Sequence, residues 1–364
     1  MHNLRCFLLC FLFCPAMVFA QAQPSPSTTA SAAAPAAKVA NPTTPEEFFA
    51  RARQLSDLIA AGVPFHLKAT YVASGDTEFT GNGTFEEWWH WKDLWRKELT
   101  LGDYKYVFVR NGDREAAFAT GPYTPLRLRQ AMSLFPLTIA ENQGLGGGWK
   151  LTKTVEGSQT LNTAASQNPC IVKNTRFPVC DLRFEFTDDG LLRVRRFNRV
   201  ITVFNKLQPF DNLLVPREIL VMIGQQLSLT INVTMLDQLS SADKNMFDTK
   251  LQPANLIALP LLPLDPELLK RAKIQNAKCK NCAPPIYPAS GPPLNRNIEG
   301  TVMANLSIDQ TGKVREPFIL ISGGNLLDQV TLQAVRQWHF TPLKIDGVPR
   351  MTEMSAPENF RLNR

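Results

Sequence analysis

From about Phe65 to Leu236 the chain alternates apolar and polar residues with period two, and a pattern held over so many segments restricts it to an antiparallel sheet with one face buried. The segment FHLKATYV sets Phe65, Leu67, Ala69 and Tyr71 against polar neighbours. GTFEEWWHWKDLWRKELTL and YKYVFVRNGDREAAFA read as consecutive strands, the second a hairpin turned at Asn111-Gly112. PLRLRQAMSLFPL predicts a short helix across one face, after which CDLRFEFTDDGLLRVRRFNRVITVF, turned at Asp189-Gly190, and LSLTINVTML resume the strands. Ahead of the sheet, TPEEFFARARQLSDLIAAG predicts a helix with Thr44 as N-cap, Pro45 in the first turn, Glu47 completing a capping box and Gly62 as the stop. A sheet of this size must curve strongly if it is to close over its helices.

With 364 residues the chain is long for one domain. Residues 1–20 read as a signal peptide, because a single Arg5 precedes an apolar run, Cys6 to Ala20, shorter than the ~20 residues a spanning helix needs. The rival reading is an uncleaved anchor. Residues 21–44, rich in Ala, Pro, Ser and Thr, carry too little apolar surface to offset their ordering entropy and read as a disordered tether. Of the seven cysteines, Cys6, Cys10 and Cys14 fall in the signal segment. Cys170, Cys180, Cys279 and Cys282 are left, an even number that an oxidising compartment favours as disulfides. The simplest connectivity is Cys170–Cys180 and Cys279–Cys282, although four cysteines allow three pairings.

The formal net charge of +7 comes without a long basic run, so nucleic acid is not implied as a partner. Beyond residue 20 the histidines are His66, His90 and His339, and neither a Gly-x-Ser-x-Gly elbow nor a His-Glu-x-x-His pair occurs. The expectation is therefore a non-enzyme with no catalytic residue, cofactor or metal site. GLGGGWK, residues 144–150, reads as a loop, since it lacks the spacing of a phosphate loop and the Ser/Thr after Lys150. CKNC, residues 279–282, has the spacing of a disulfide-exchange motif, but Pro284 and Pro285 follow, and two prolines oppose the helix that would activate the first thiol. Arg193, Arg195 and Arg199 on one strand face either attract lipid headgroups or form a solvated face.

The last 80 or so residues follow a different plan. GTVMANLSI and VREPFILIS predict two strands joined at DQTGK, LLDQVTLQAVRQW predicts a helix, and MTEMSAPENFRL a weak final strand, which gives the order β-β-α-β. Roughly residues 283 to 362 resemble the TonB C-terminal domain, the periplasmic part of an energy transducer that engages outer-membrane receptors. The residues that carry the resemblance are Pro285, Tyr287 and Pro288 at the start, Glu299-Gly300 and Val302 at the first strand, Asp309 to Val314 at the hairpin, Ser322-Gly323-Gly324 before the helix, Leu327 and Asp328 within it, and Leu332, Ala334, Val335, Trp338, Phe340, Pro342, Gly347 and Pro349 beyond. Two positions depart from the family pattern. His339 stands where the family has Arg, which we read as a donor at the helix C-terminus. Pro357 interrupts the final strand, where a proline is tolerated mainly at an edge or bulge. The resemblance implies binding of an envelope protein partner by strand addition, with Pro285, Tyr287, Pro288, Met351 and Glu353 as candidate contacts.

A looser resemblance covers residues 65 to 236. The long antiparallel strands, the Trp-rich FEEWWHWKDLWRKEL pair, the interposed helix and the CDLRFEFTDDGLLRVRR hairpin are similar to the LolA-like half-barrel of periplasmic lipoprotein-sorting proteins. It implies an apolar concave face that shields a lipid or lipoprotein, lined by Trp89, Trp91 and Trp95 unless these pack as ordinary core or edge residues. The expected organisation is α+β: a signal peptide at 1–20, a tether at 21–44, a curved antiparallel domain with its helix at 45–256, a linker at 257–282 and a β-β-α-β domain at 283–364. The two resemblances together imply a periplasmic protein or, with an uncleaved anchor, an inner-membrane protein facing the periplasm. They leave three functions in view: an envelope adaptor, a lipid or lipoprotein carrier, and an anchored energy transducer.

Overall fold

The period-two segments pair into a single sheet of twelve strands, every neighbouring pair antiparallel. A computed structural model describes residues 40–121, 123–134, 148–156, 159–167, 171–172, 175–176, 181–240, 244–250, 272–286 and 298–361. The chain enters through helix α1 (Pro45–Ser56), where the Thr44 hydroxyl accepts the Glu47 amide at 3.3 Å and the Glu47 carboxylate accepts the Thr44 amide at 3.1 Å. The expected single helix breaks at Asp57, whose carboxylate accepts the Ala60 amide at 2.8 Å and starts a separate turn, α2 (Leu58–Ala61). Gly62, at φ 69°, ends it.

Strands β1 (Phe65–Ala73), β2 (Gly81–Trp91), β3 (Leu94–Leu101), β4 (Tyr104–Asn111) and β5 (Arg114–Ala119) follow as a meander. Helix α3 (Leu126–Leu134) comes next, and then the hairpin β6 (Trp149–Glu156) and β7 (Gln159–Ser166). This hairpin is absent from the sequence reading, and Trp149 and Lys150, assigned there to a loop, begin its first strand. After the short ribbon β8 (Ile171–Val172) and β9 (Thr175–Arg176) come β10 (Leu182–Phe186), β11 (Leu192–Phe197), β12 (Val200–Phe210), β13 (Leu213–Ile223) and β14 (Gln226–Gln238). The sheet order is β5-β4-β3-β2-β1-β14-β13-β12-β11-β10-β7-β6, so β1 lies in the middle with β14 against it in the register Phe65↔Gln238.

The inner face of this curved sheet holds the core. Phe65, Leu67, Tyr71, Phe85, Leu99, Tyr106, Ile219 and Ile231 are buried there, and α1 adds Phe48 and Phe49 against Phe184 and Phe186. Gly83 is required by packing: a Cβ on it would lie 2.2 Å from the Tyr71 ring and 2.4 Å from the Thr100 carbonyl oxygen.

The C-terminal region is built on the three-stranded order β18-β17-β22, with β17 (Gly300–Ile308) between β18 (Val314–Ile321) and β22 (Thr352–Phe360), and α4 (Asn325–Val335) packed on β17 and β18. Val302, Leu306, Leu327, Val335, Trp338 and Phe340 form its core. Five short strands accompany this frame. In the stretch expected to be linker, β15 (Ile274–Gln275) pairs with β20 (Leu343–Ile345) and β16 (Lys278–Asn281) with β19 (His339–Thr341), while β21 (Val348–Arg350) turns back on β20. Cys279 and Cys282 are disulfide-bonded, with Cα atoms 6.0 Å apart, beside this pairing. Cys170 and Cys180 lie outside the described residues. His339 does not close the helix as expected: α4 ends at Val335 with Arg336 as its C-cap, and His339 opens β19, opposite Asn281.

Candidate functional site

The β17–β18 turn shows why Asp309 to Val314 have the residues they do. The Asp309 carboxylate accepts the Thr311 amide at 2.8 Å, the Thr311 hydroxyl at 2.6 Å, the Lys313 amide at 3.0 Å and Arg315 Nε at 2.9 Å. Burial alone would raise its pKa, but the hydrogen bonds from Thr311, Arg315 and Lys313 outweigh this and hold it below the ordinary value of 3.8. Gly312, at φ 91°, is needed because a Cβ there would lie 1.8 Å from the Phe340 carbonyl oxygen, and its own carbonyl accepts the Phe340 amide at 2.8 Å. The second glycine motif works in the same way. Asp328 accepts the Gly323 amide at 3.0 Å and the Ser322 hydroxyl at 2.6 Å, and Gly323 has room for no side chain against Val302 and Thr301.

Strand β22 is an open edge of the C-terminal sheet, β18 being the other. It pairs with β17 without a register break from Gly300↔Phe360 to Ile308↔Thr352, and no described strand lies on its other side. Pro357 sits in this edge strand opposite Met303, a position that tolerates a missing amide donor. Of the candidate contacts, Glu353 has a side chain 50% exposed, Met351 is buried and Pro285 is half-buried. Tyr287 and Pro288 lie outside the described residues.

The beginning of that edge is held by the large sheet's own helix. Arg129, on α3 and only 8% exposed, donates through Nε to Glu353 at 2.9 Å, through Nη2 to the Ser307 hydroxyl and through Nη1 to the Met351 sulfur at 3.7 Å and the Thr124 carbonyl. Ser307 and Glu353 face each other across β17 and β22, so one guanidinium spans the pair. On β18, Glu316 accepts the Leu126 amide at 2.5 Å and the Thr77 hydroxyl. It stands at φ 44° in a bulge, where β18 runs from Phe318 to Arg315 while β17 runs from Asn305 to Ser307. Arg315 lies over the Tyr123 ring at 4.7 Å and meets Glu78 at 3.4 Å, and Arg199, placed in a turn rather than on the expected strand face, pairs with Asp328 at 3.2 Å. Of these junction residues the sequence points to Arg199, Asp328, Met351 and Glu353, none of them for this contact. The available sign is a pair of arginines, Arg127 and Arg129, set among Leu126, Leu128, Ala131, Met132 and Leu134.

The three candidate tryptophans occupy different environments. Trp89 is buried and stacks on Phe65 with ring centroids 5.6 Å apart, and Trp95, half-buried, meets Phe108 edge-on at 4.7 Å. Trp91 is 52% exposed at the end of β2, its ring 6.4 Å from that of Trp89. On the same inner face Glu87 is fully buried beside Lys97 at 3.5 Å, and burial raises its pKa despite that lysine. Among the described residues no group of three or more His, Cys, Asp or Glu side chains could hold a metal ion.

Fold and edge together define a two-part α+β chain: a large curved antiparallel sheet, and a β-β-α-β module in which β22 has no described strand on its outer side. Residues 284–362 match the family model for the Gram-negative bacterial TonB protein C-terminal. The protein TonB of Vibrio cholerae is 40% identical over 68 residues, which are 18% of this chain and 28% of that protein. The match thus spans less than a third of that relative. Over the large sheet the similar solved structures include a LolA superfamily protein from Nitrosomonas europaea, at 8% identity and TM-score 0.35, covering 57% of this chain and 98% of that one. A domain described as a putative outer membrane lipoprotein-sorting protein from Vibrio parahaemolyticus is 9% identical with TM-score 0.27, covering 56% and 94%.

Proposed function

We propose that the chain is an exported, non-catalytic envelope adaptor whose C-terminal module docks a protein partner by adding an extended segment to β22. The observation that supports this most directly is the open edge: nine residues in continuous register with β17 on one side and no described strand on the other. A segment laid along such an edge gains main-chain hydrogen bonds, and alternate side chains supply selectivity. The match of residues 284–362 to the TonB C-terminal family supports an envelope protein as the partner, an outer-membrane receptor being the first to test. The apolar run at 6–20 supports export to the periplasm.

The test is titration of the full chain with synthetic extended peptides from the periplasmic segments of outer-membrane receptors, read by amide hydrogen exchange. Binding should slow exchange along residues 352–360 and leave β12 and β13 unchanged. Peptides that bind without protecting β22, or a failure of all of them to bind, overturn the proposal. A second reading, a carrier of lipid or lipoprotein, is favoured by the aromatic inner face around Trp89 and Phe65. Lipid extracted in stoichiometric amount from the purified protein would support it, and a protein without lipid would count against it.

A further inference from the structure

We propose that α3 is a shared element that couples the open edge of the C-terminal module to the interior of the large sheet, so that a change on either side alters the other. The functional meaning rests on the docking reading above, whereas the coupling is a property of the chain alone. Nearly every side of α3 is buried: Leu128, Ala131 and Met132 belong to the core of the large sheet, while Leu126 and Arg129 are held by the C-terminal strands.

The grip is drawn from all three strands of the C-terminal sheet at one level. Ser307 is the register partner of both Arg315 on β18 and Glu353 on β22, and Glu316 follows Arg315 directly. Glu316 supplies from another part of the chain the carboxylate that a helix normally takes from its own N-cap, and a carboxylate at that end also meets the favourable end of the helix dipole. Its left-handed backbone, costly for a residue with a Cβ, is kept at the bulge that aims the carboxylate at α3. Arg129 completes the grip across β17 and β22. The bonds to Ser307 and Thr124 are buried and fix the guanidinium, so a shift of β22 by the width of one contact takes the Glu353 carboxylate from a cation only 8% exposed, and α3 moves to keep the pair. Conversely, a displacement of Leu128 and Met132 from within the large sheet moves Arg129 on the same short helix. Such coupling is reciprocal by linkage: whatever fills the interior and repositions α3 changes the affinity of the edge for a partner, and the partner changes the interior by the same factor.

Hydrogen exchange of the full chain, with no partner added, tests this. Leu128→Ala perturbs the interior side and Glu353→Ala the edge side. Coupling predicts that Leu128→Ala speeds exchange over 352–360 by about fivefold or more, the lower end of couplings between sites, and that Glu353→Ala does the same over 126–134. Both should leave β12 and β13 protected. Exchange changes confined to the mutated side overturn the proposal. Should Leu128→Ala expose β12 and β13 as well, the Glu353→Ala arm decides alone, since that side chain is half exposed and its loss leaves the core intact. Because no partner takes part, failure of peptides to bind β22 leaves this result standing, and absence of coupling leaves the peptide titration standing.

Discussion

Replacing Asp309 by Ala should destabilise the C-terminal module by about 3–4 kcal/mol. The carboxylate accepts four hydrogen bonds, each of the charge-assisted kind worth roughly 1.5–3 kcal/mol, so the sum is an upper bound. Thr311 and Lys313 are exposed, and water takes over much of what their amides and the Thr311 hydroxyl lose. Arg315 keeps Glu78 and the face of Tyr123. What remains is the turn geometry and the buried end of Arg315, which gives the lower figure. Asp309→Asn retains one acceptor oxygen and turns an amide donor toward Arg315, so about half the effect is expected. The wild-type turn also has a predictable pH dependence. The folded-state pKa of Asp309 lies below its unfolded value, so its contribution is fully present above pH 3.8 and is lost as the pH falls below that toward the folded-state value. Urea denaturation followed by hydrogen exchange over residues 300–321, at pH 7 and through the acid range, measures both effects. A loss under 1 kcal/mol for the alanine variant, or an acid transition that Asp309→Asn leaves unaltered, would refute the reasoning.

Two further substitutions or treatments follow from the packing. Gly83→Ala should destabilise the large sheet by about 2–3 kcal/mol, because the new methyl meets the Tyr71 ring and the Thr100 carbonyl at once, and thermal unfolding with a change under 0.5 kcal/mol would contradict this. Reduction of Cys279–Cys282 should release about 2 kcal/mol of restraint and speed exchange over 274–282, with the core from Val302 to Phe360 still protected; loss of that core on reduction would show the clasp to be essential to the module.

The strands of the first half were legible because each carries its own alternation and its own turn residues, as at Asn111-Gly112 and Asp189-Gly190, both glycines taking positive φ. The β6–β7 hairpin was not, since QTLNTAAS is small and polar and its alternation is hidden, though Leu161 and Ala164 are buried. In the C-terminal module the spaced glycines and aspartates were readable as a set, while their physical purpose, the Asp309 turn and the close approach of Gly312 to Phe340, depends on strands brought together only in the fold. Residues 274–281 pair through short exposed strands that leave no hydrophobic trace. The junction was hidden for a different reason. Arg129 and Glu316 are single charged residues whose partners across the junction lie 178 to 224 and 190 to 239 positions away, and no local pattern encodes a contact at such a separation.

The place of β1 at the centre of the sheet has a consequence for how the chain is made. A chain emerging N-terminus first presents β1 to β5 as a meander of local contacts, yet the second ladder of β1 is filled only when β14 arrives, about 170 residues later by the register Leu67↔Leu236. Until then a long strand with buried-type side chains on one face stands as a bare edge, the configuration most open to pairing with another copy. Nascent chains that stop before Gln226 should therefore form aggregates or recruit holding chaperones. Chains that run past Gln238 shed both, whether or not the C-terminal module has yet been synthesised.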